Sequence, residues 1–395
     1  MVRPVAMQSK VSRLQRRRAG ARPVTGRAAL LAASLLLSGC ATFTTMHGPS
    51  PGTPERRPLP VAGTALFDWK GQVHCHSHWS HDSRGTIAEI AAAAHEAQFD
   101  FLVMTDHQTD DSIAQGTRGL VGDTLFVVGA ELNTNRGDVL AFPLTRPLRR
   151  VFDIRAFVAE AAAQGAIVFF AHAEEPHAWD TPGIAGVEIV NLHAGARAAS
   201  PVAMILSALF LPAHVVMGLC CRRDAGILAH WDEQLQQRHP LAPVGGGDAH
   251  ANIRLYGPLG GTIGSYREVF LTLTTHVLAP AMDEAALVAA FRLGRSYVVF
   301  DAQRDGTGFD FRATSGVEVF TMGDTVTAGP GLRLGVHLPV PAHVRLLRDG
   351  QEVATADATE LQLAAPAPGV YRVEAELTCG TPWLLSSTIR VVAAP

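Results

Sequence analysis

Residues 71–83 read GQVHCHSHWSHDS, a short β-type segment that ends in a cluster of four histidines and an aspartate. His74 and His76 are two residues apart, so on a strand their side chains point the same way and can bind one metal ion. Cys75 then points to the opposite face, where we expect a packed thiol. The segment predicts a strand that carries a pair of metal ligands at its carboxyl end.

Seven further apolar segments follow along the chain, and nearly all of them end in or next to His, Asp or Glu. Helical patterns separate several of them, and the first begins at Thr86, where Thr86 and Glu89 have the spacing of a capping box. This alternation predicts βα units around a parallel sheet. Because active sites of β/α barrels lie at the carboxyl ends of the strands, it also predicts a site there. The segments are FDFLVMTDH, TLFVVGAEL, DVLAF, AIVFFAH, GVEIVNLH, LAPVGGGDAH and EVFLTLTTH.

The polar residues at these segment ends are types that bind divalent metal ions. In chain order they resemble the ligands of the PHP family, named for bacterial polymerases and histidinol phosphatases, and the resemblance spans roughly residues 71–299. It implies an α/β fold, a distorted (β/α)7 barrel, with two or three Zn, Mn or Fe ions at its mouth. It also implies that Glu131 bridges two ions. The other ligands expected from the resemblance are His74, His76, His107, His172, Asp248 and His250.

Two further ligand positions leave alternatives open. The family has an acid or a histidine seven or eight residues after its first histidine, where this chain has His81 and Asp82, of which Asp82 is favoured. Asp138 stands where the family usually has a histidine. Either Asp138 replaces that imidazole and makes the site more suited to Mn or Fe, or the second ion is weakly held; replacement is favoured.

Three residues are candidates for contact with a substrate. His193 ends the segment GVEIVNLH and is a candidate proton donor. Arg84 and Arg254 follow the first and last metal motifs, where a guanidinium can hold an anionic group through two parallel hydrogen bonds. A solvated arginine is the alternative for each.

The pattern changes past about residue 305 to strands of period two, joined in one place by an Asp349-Gly350 turn. We therefore expect a metal-dependent hydrolase domain over residues 63–304 and a small β-sandwich over residues 305–395. The second domain contains no clustered ligand residues, so we assign it no chemistry.

Residues 1–39 carry eight basic and no acidic side chains and end in an apolar run of signal-peptide length. The tetrapeptide LSGC, which ends at Cys40, resembles a bacterial lipobox. The resemblance implies cleavage before Cys40 and lipidation of that residue, and Ala41 is not the aspartate that retains lipoproteins in the inner membrane. We therefore expect an outer-membrane lipoprotein that faces the periplasm, with residues 40–62 as a flexible tether.

Removal of those eight basic residues changes the formal net charge from −3 to −11. We therefore expect no nucleic-acid partner for so acidic a chain, because nucleic-acid binding rests on neutralisation of phosphates by Lys and Arg. Residues 200–220 form an apolar segment long enough to span a membrane. Pro212 and His214 interrupt it and it falls between two predicted strands, which favours a helical hairpin that covers the barrel and contacts the membrane.

A cluster of His, Asp and Glu around divalent ions suits hydrolysis, because a metal lowers the pKa of bound water from about 15.7 towards about 7 and supplies hydroxide as the nucleophile. Phosphoesters are the favoured small-molecule substrates, since their transition state spreads negative charge over oxygens. The PHP resemblance implies the same class. The export signal and the added β-domain resemble the carbaryl hydrolase group, which keeps carboxyl esters and carbamates as an alternative. A metal- or ligand-binding envelope protein without turnover is the other class.

Overall fold

The computed structural model describes residues 59–149, 153–198, 216, 220–251, 253–255, 261–377 and 380–395. The expected signal peptide, Cys40, most of the tether and most of residues 200–220 lie outside the described residues. No helix in the described part of the chain combines the length and the apolar character needed to cross a membrane. The described residues belong to one compact unit, and the division at residue 305 stays a prediction.

The described chain is a mixed α/β protein in which nineteen strands are hydrogen-bonded into one continuous sheet. The strands up to residue 299 are β1 (Leu59–Pro60), β2 (Phe67–Cys75), β3 (Phe101–Met104), β4 (Gly119–Val121), β5 (Thr124–Val128), β6 (Ala130–Thr134), β7 (Gly137–Phe142), β8 (Ile167–Phe170), β9 (Ile184–Asn191), β10 (Ala242–Ala249), β11 (Ile253–Leu255), β12 (Gly261–Ile263), β13 (Thr274–Ala279) and β14 (Ser296–Val299). Of these, β11 and β12 form a separate two-stranded sheet.

The helices of the described residues are short and lie between these strands. They are α1 (Ile87–Glu96), α2 (Asp110–Ala114), α3 (Ile154–Ala162), α4 (Leu192–Ala198), α5 (Ala225–Gln237), α6 (Tyr266–Phe270) and α7 (Glu284–Arg292). The predicted capping box at the start of α1 is confirmed: the Thr86 hydroxyl accepts from the Glu89 amide, and the Glu89 side chain accepts from the Thr86 amide. Asp153 and Asp283 are the N-cap residues of α3 and α7.

Part of the sheet forms a circuit of pairings that starts and ends at β2. β2 pairs in parallel with β3, β3 pairs in parallel with β5, and the chain passes from β5 into β6. β7 pairs antiparallel with both β6 and β8. β8, β9 and β10 then pair in parallel, and β10 returns in parallel to β2. The carboxyl ends of the parallel strands therefore meet at one edge of the circuit.

The predicted strand EVFLTLTTH is wrong in its first half. Glu268–Phe270 belong to α6, and β13 begins only at Thr274. The cause is a capping box between Ser265 and Glu268, which starts a helix ahead of the apolar residues. β13 runs antiparallel to β2 with His276 opposite Lys70, so this histidine lies away from the edge where the other segments end.

The C-terminal strands continue the same hydrogen-bonded sheet, because β21 pairs antiparallel with β14. Tyr297 and Val299 of β14 pack in one buried cluster with Phe311 and Trp383. The predicted Asp349-Gly350 turn is confirmed between β18 and β19, and both residues have positive φ angles. The strands are β15 (Asp310–Ser315), β16 (Glu318–Thr321), β17 (Thr325–Thr327), β18 (Leu332–Arg348), β19 (Gln351–Ala364), β20 (Gly369–Leu377) and β21 (Thr381–Val392).

Candidate metal centre

The edge of the circuit gathers ligand-type side chains from five strands that are far apart in sequence. β2 and the residues that follow it supply His74 and His76, and the chain just after β3 supplies His107. β6 supplies Glu131, and the chain just after β8 supplies His172. The end of β10 adds Asp248 and His250.

Glu131 lies at the middle of this group, with 4% of its surface exposed. Its Oε2 is 3.3 Å from His76 Nε2, 3.4 Å from His107 Nδ1 and 3.5 Å from His74 Nε2. Its Oε1 is 3.1 Å from His172 Nε2. One carboxylate thus faces imidazoles on two sides, as a carboxylate that bridges two ions must.

Asp248 is a second buried carboxylate that lies close to several imidazoles. Its Oδ1 lies 3.4 Å from both His74 Nε2 and His76 Nε2. Its Oδ2 lies 3.3 Å from Nδ1 of His193, whose side chain is 47% exposed. His193 is therefore the most exposed side chain in contact with Asp248, and its contact with a substrate stays a prediction.

Of the two residues left open in the first motif, Asp82 lies within the group. Its Oδ2 is 3.2 Å from His107 Nε2 and 3.2 Å from His250 Nε2. Burial would raise the pKa of Asp82, but the neighbouring His250 and His107 lower it below its usual range. His81 is exposed, with its ring beside that of His107.

Among the described residues, these side chains divide into overlapping groups that could each hold an ion. Within each group, one ligand atom per residue lies within 4.8 Å of the others. The groups are His76, Asp82, His107 and His250; His74, Glu131 and His172; His74, His76 and Asp248; and His193, Asp248 and His250. His74, His76, Asp248 and His250 each belong to two of these groups.

The imidazoles are held with a nitrogen free to ligate. His74 Nδ1 is 2.7 Å from Glu188 Oε1, and His76 Nδ1 is 3.0 Å from Ser80 Oγ. The Nε2 atoms of both rings are buried without a hydrogen-bond partner. A buried polar atom without a partner is unfavourable, and a cation among Glu131 and the other carboxylates would supply one.

Glu188 was not predicted from the sequence, although it contacts two of the candidate ligands. Its Oε1 binds His74, and its Oε2 accepts from the His172 amide at 2.7 Å and from Asn191 Nδ2 at 3.1 Å. A carboxylate behind a ligand histidine fixes the tautomer of the ring and raises its basicity. The sequence signal was a single acidic residue inside the apolar strand β9. Gly246 makes room for it, since a Cβ there would lie 1.4 Å from Glu188 Oε1.

Three of the expected ligands have left-handed backbone conformations. The φ angles are 72° for His74, 49° for His172 and 48° for Asp248. Such conformations cost about 1–3 kcal/mol for residues other than glycine and concentrate at functional sites. Each of the three turns its strand end so that the side chain faces the cluster.

The charges of the cluster shift the pKa values of its members. Burial would lower the pKa of His76, but the nearby carboxylates of Asp248 and Glu131 outweigh it and raise the pKa to about 9. Burial would also lower the pKa of His172, but Glu131 and Glu174 outweigh it and raise that pKa to about 11. Burial would raise the pKa of Glu131, yet the imidazoles around it hold that pKa well below its usual range. The metal-free cluster therefore carries protons that a metal ion would displace.

The remaining predicted residues lie outside these groups. Asp138 is half-buried on β7, opposite Asn133 of β6. Arg84 is exposed in the loop after the first motif. Arg254 lies on β11 opposite Thr262 of β12, and its side chain is outside the described part of the structure. The roles of these three residues stay predictions.

No protein-family model matches the chain, and no curated protein matches it in sequence. It is similar to the crystal structure of a two-domain protein from Bacteroides vulgatus, described as containing a predicted PHP-like metal-dependent phosphoesterase. The identity is 14%, over 85% of this chain and 98% of that one, with a TM-score of 0.41. It is also similar to a candidate metal-dependent phosphoesterase from Bifidobacterium adolescentis, at 13% identity over 51% of this chain and 95% of that one, with a TM-score of 0.29. Both TM-scores lie below 0.5, so conclusions about activity rest on the ligand geometry.

Proposed function

We propose that the protein is a hydrolase of PHP type that uses two or three divalent metal ions to cleave phosphoesters. The observation that carries the proposal is the meeting of buried carboxylates and partnerless imidazole nitrogens from five strands around Glu131 and Asp248. The mixture of imidazole nitrogen and carboxylate oxygen fits Zn, Mn or Fe better than Mg or Ca, which prefer oxygen alone.

Ions in these groups would supply Lewis acidity, which lowers the pKa of a water molecule and polarises a phosphoryl oxygen. The chain's own residues hold the geometry. Glu131 reaches the imidazoles of two groups, and Glu188 keeps the His74 ring turned with Nε2 towards the centre. His74, His76 and Glu131 are at most 4% exposed, and this burial strengthens the electrostatic interactions among them.

His193 is the proposed proton donor to a leaving group. Its side chain is 47% exposed, and the Asp248 carboxylate beside its Nδ1 orients the ring. Arg84, exposed in the loop that follows the first motif, is the proposed contact for an anionic group of the substrate.

The test is hydrolysis of a panel of aryl phosphomonoesters, phosphodiesters, carboxylate esters and carbamates by the metal-loaded protein. We expect turnover of phosphoesters, reduced at least about 100-fold in Asp248→Asn, because even groups behind metal ligands contribute up to that factor. Asp180→Asn, at an exposed ion pair with Arg155, is the matched control. Activity confined to carboxyl substrates would replace the phosphoesterase by a carbamate or ester hydrolase. Metal binding without turnover of any substrate would indicate a binding protein.

We also propose that the circuit from β2 to β10 is a distorted (β/α)7 barrel and that the strands after residue 305 form an appended β-sandwich. The return of the pairings to β2 supports the barrel. The run of antiparallel pairings from β15 to β21 supports the second part.

Export and lipid anchoring at Cys40 are proposed from the lipobox resemblance. Cys40→Ser is expected to abolish incorporation of labelled fatty acid and to release the protein from the membrane fraction. If the variant stayed with the membrane as firmly as the parent chain, residues 200–220 would become the proposed attachment.

A further inference from the structure

A second polar cluster is buried at the amino-terminal end of β2, away from the ligand edge. Every second residue of β2 from Asp68 to His74 is polar and at most 5% exposed, and the series begins with Asp68 and Lys70. His76 and the metal centre lie at the other end. At about 3.3 Å per residue, Lys70 is about 13 Å along the strand from His74.

His276 lies in this cluster, fully buried on β13 opposite Lys70. Its Nδ1 is 2.8 Å from Asp68 Oδ1, and the Tyr297 hydroxyl donates to Asp68 Oδ2 at 2.8 Å. The Nε2 atom of His276 is buried and has no hydrogen-bond partner. The arrangement repeats that of Glu188 behind His74: a carboxylate holds one ring nitrogen, and the other nitrogen is left to bind a cation.

Two further carboxylates meet this ring from the loop that follows β14. Asp301 is 8% exposed, and Asp305 is the more accessible of the two, with 48% of its side chain exposed. His276, Asp301 and Asp305 each offer a ligand atom within 4.8 Å of the others. The Lys70 ammonium lies 2.5 Å from Asp301 and 3.1 Å from Asp305. Three carboxylates, including Asp68, thus surround one lysine and one imidazole.

We propose that His276, Asp301 and Asp305 form a second divalent-cation site, of the Mn or Zn class, separate from the centre at the carboxyl end of β2. One imidazole and two carboxylates are a ligand set of this class, and oxygen-only cations are disfavoured by the nitrogen. Lys70 is the internal competitor for the same carboxylates. An ion there would tie β13 to the loop that leads into the C-terminal strands, so its role is to stabilise that junction.

The test measures binding of Mn²⁺ alone to the metal-free full chain by equilibrium dialysis. Asp305→Asn is chosen because Asp305 is exposed and the amide preserves its shape, and unchanged far-UV circular dichroism would verify folding. We expect this variant to bind one equivalent fewer than the parent chain, with turnover at the other centre unchanged. Asp357→Asn, at an exposed histidine–carboxylate pair with His343, is the control and keeps the full count.

Lys70→Met supplies the opposite readout. Removal of the Lys70 ammonium takes away the cation that competes with Mn²⁺ for Asp301 and Asp305. This variant is therefore expected to bind Mn²⁺ at the site at least tenfold more tightly. Its thermal unfolding midpoint should rise more on addition of Mn²⁺ than that of the parent chain. An unchanged Mn²⁺ count in Asp305→Asn, together with no gain of affinity in Lys70→Met, would overturn the proposal and leave the cluster a buried ion pair.

Discussion

At the scale of single residues, the metal centre depends on the groups behind its ligands as much as on the ligands. Glu188 joins His74, the His172 amide and Asn191 through one buried carboxylate. Loss of such a partner leaves the imidazole in place but frees its orientation and tautomer. The carboxylate therefore links the positions of two ligands that lie on different strands.

Glu188→Gln is expected to weaken metal binding about 10–100-fold, because the amide no longer favours the tautomer with a bare Nε2 on His74. Isothermal titration of the metal-free protein with Zn²⁺ would measure the change. Glu175→Gln, at an exposed glutamate in the loop after β8, is the control. Equal affinity in Glu188→Gln and the parent chain would exclude this role.

The raised pKa values predict opposite effects of pH on the metal-free fold and on metal binding. The pKa of His76 is raised to about 9 by Asp248 and Glu131 against the effect of burial, compared with about 6.5 in an unfolded chain. This contribution to stability is present below pH 6.5 and is lost as the pH rises through 9. Metal ligation needs the deprotonated ring, so the affinity for Zn²⁺ should rise over the same interval.

Unfolding midpoints of the metal-free protein and Zn²⁺ affinities at pH 6.5, 7.5 and 8.5 would test this opposition. The expected result is a falling midpoint and a rising affinity. Metal affinity that does not change with pH would show that the imidazoles are already deprotonated before the metal binds.

At the scale of the elements, the strands bring the ligands together, and small residues leave room for their side chains. Gly245, Gly246 and Gly247 of β10 lie against Val298, Glu188 and Gln72 respectively, at distances that a Cβ could not share. The glycine run in LAPVGGGDAH therefore allows close packing of side chains from β14, β9 and β2 against β10.

Gly246→Ala is expected to destabilise the fold by about 1–3 kcal/mol, as overpacking in a filled interior does. The added methyl group would meet Glu188, so metal affinity should fall as well, by about tenfold. Gly331→Ala, where a Cβ meets nothing within 4 Å, is the matched control. Urea unfolding and Zn²⁺ titration would measure both effects, and loss of stability without loss of affinity would contradict the link through Glu188.

At the scale of the whole molecule, a buried network of ion pairs joins helix α5 to the C-terminal strand β20. Arg372 of β20 donates two hydrogen bonds to Asp232 of α5, at 2.6 and 2.7 Å, and one to Glu374 at 2.6 Å. Arg372 is 3% exposed. Arg223 and Arg345 extend the network on Glu374.

Arg372→Met is expected to lower the free energy of unfolding by about 3–5 kcal/mol, because it leaves the buried Asp232 carboxylate without its arginine. Arg155→Met is the control, since its ion pair with Asp180 is exposed on both sides and contributes about 0–1 kcal/mol. Urea unfolding of the three proteins would measure the difference. If Arg372→Met were as stable as the control, the ion pairs between α5 and β20 would not contribute to the stability of the fold.

The sequence by itself determined the residue types and where they fall along the strands. The Thr86 helix start and the Asp349-Gly350 turn depend on neighbours within a few residues, and these predictions agree with the structure. EVFLTLTTH failed because its apolar pattern suits a helix or a strand equally, and the cap at Ser265 decided the outcome.

Only the tertiary structure decided which ligands face one another and what stands behind them. Glu188 contacts His74 across 114 residues of sequence, and His276 meets Asp68 across 208. Local propensity cannot encode such pairs, because they depend on the order in which strands join the sheet and on whether a strand runs parallel or antiparallel. His276 ends its segment in sequence as the metal ligands do, yet the antiparallel course of β13 carries it to the opposite end of β2.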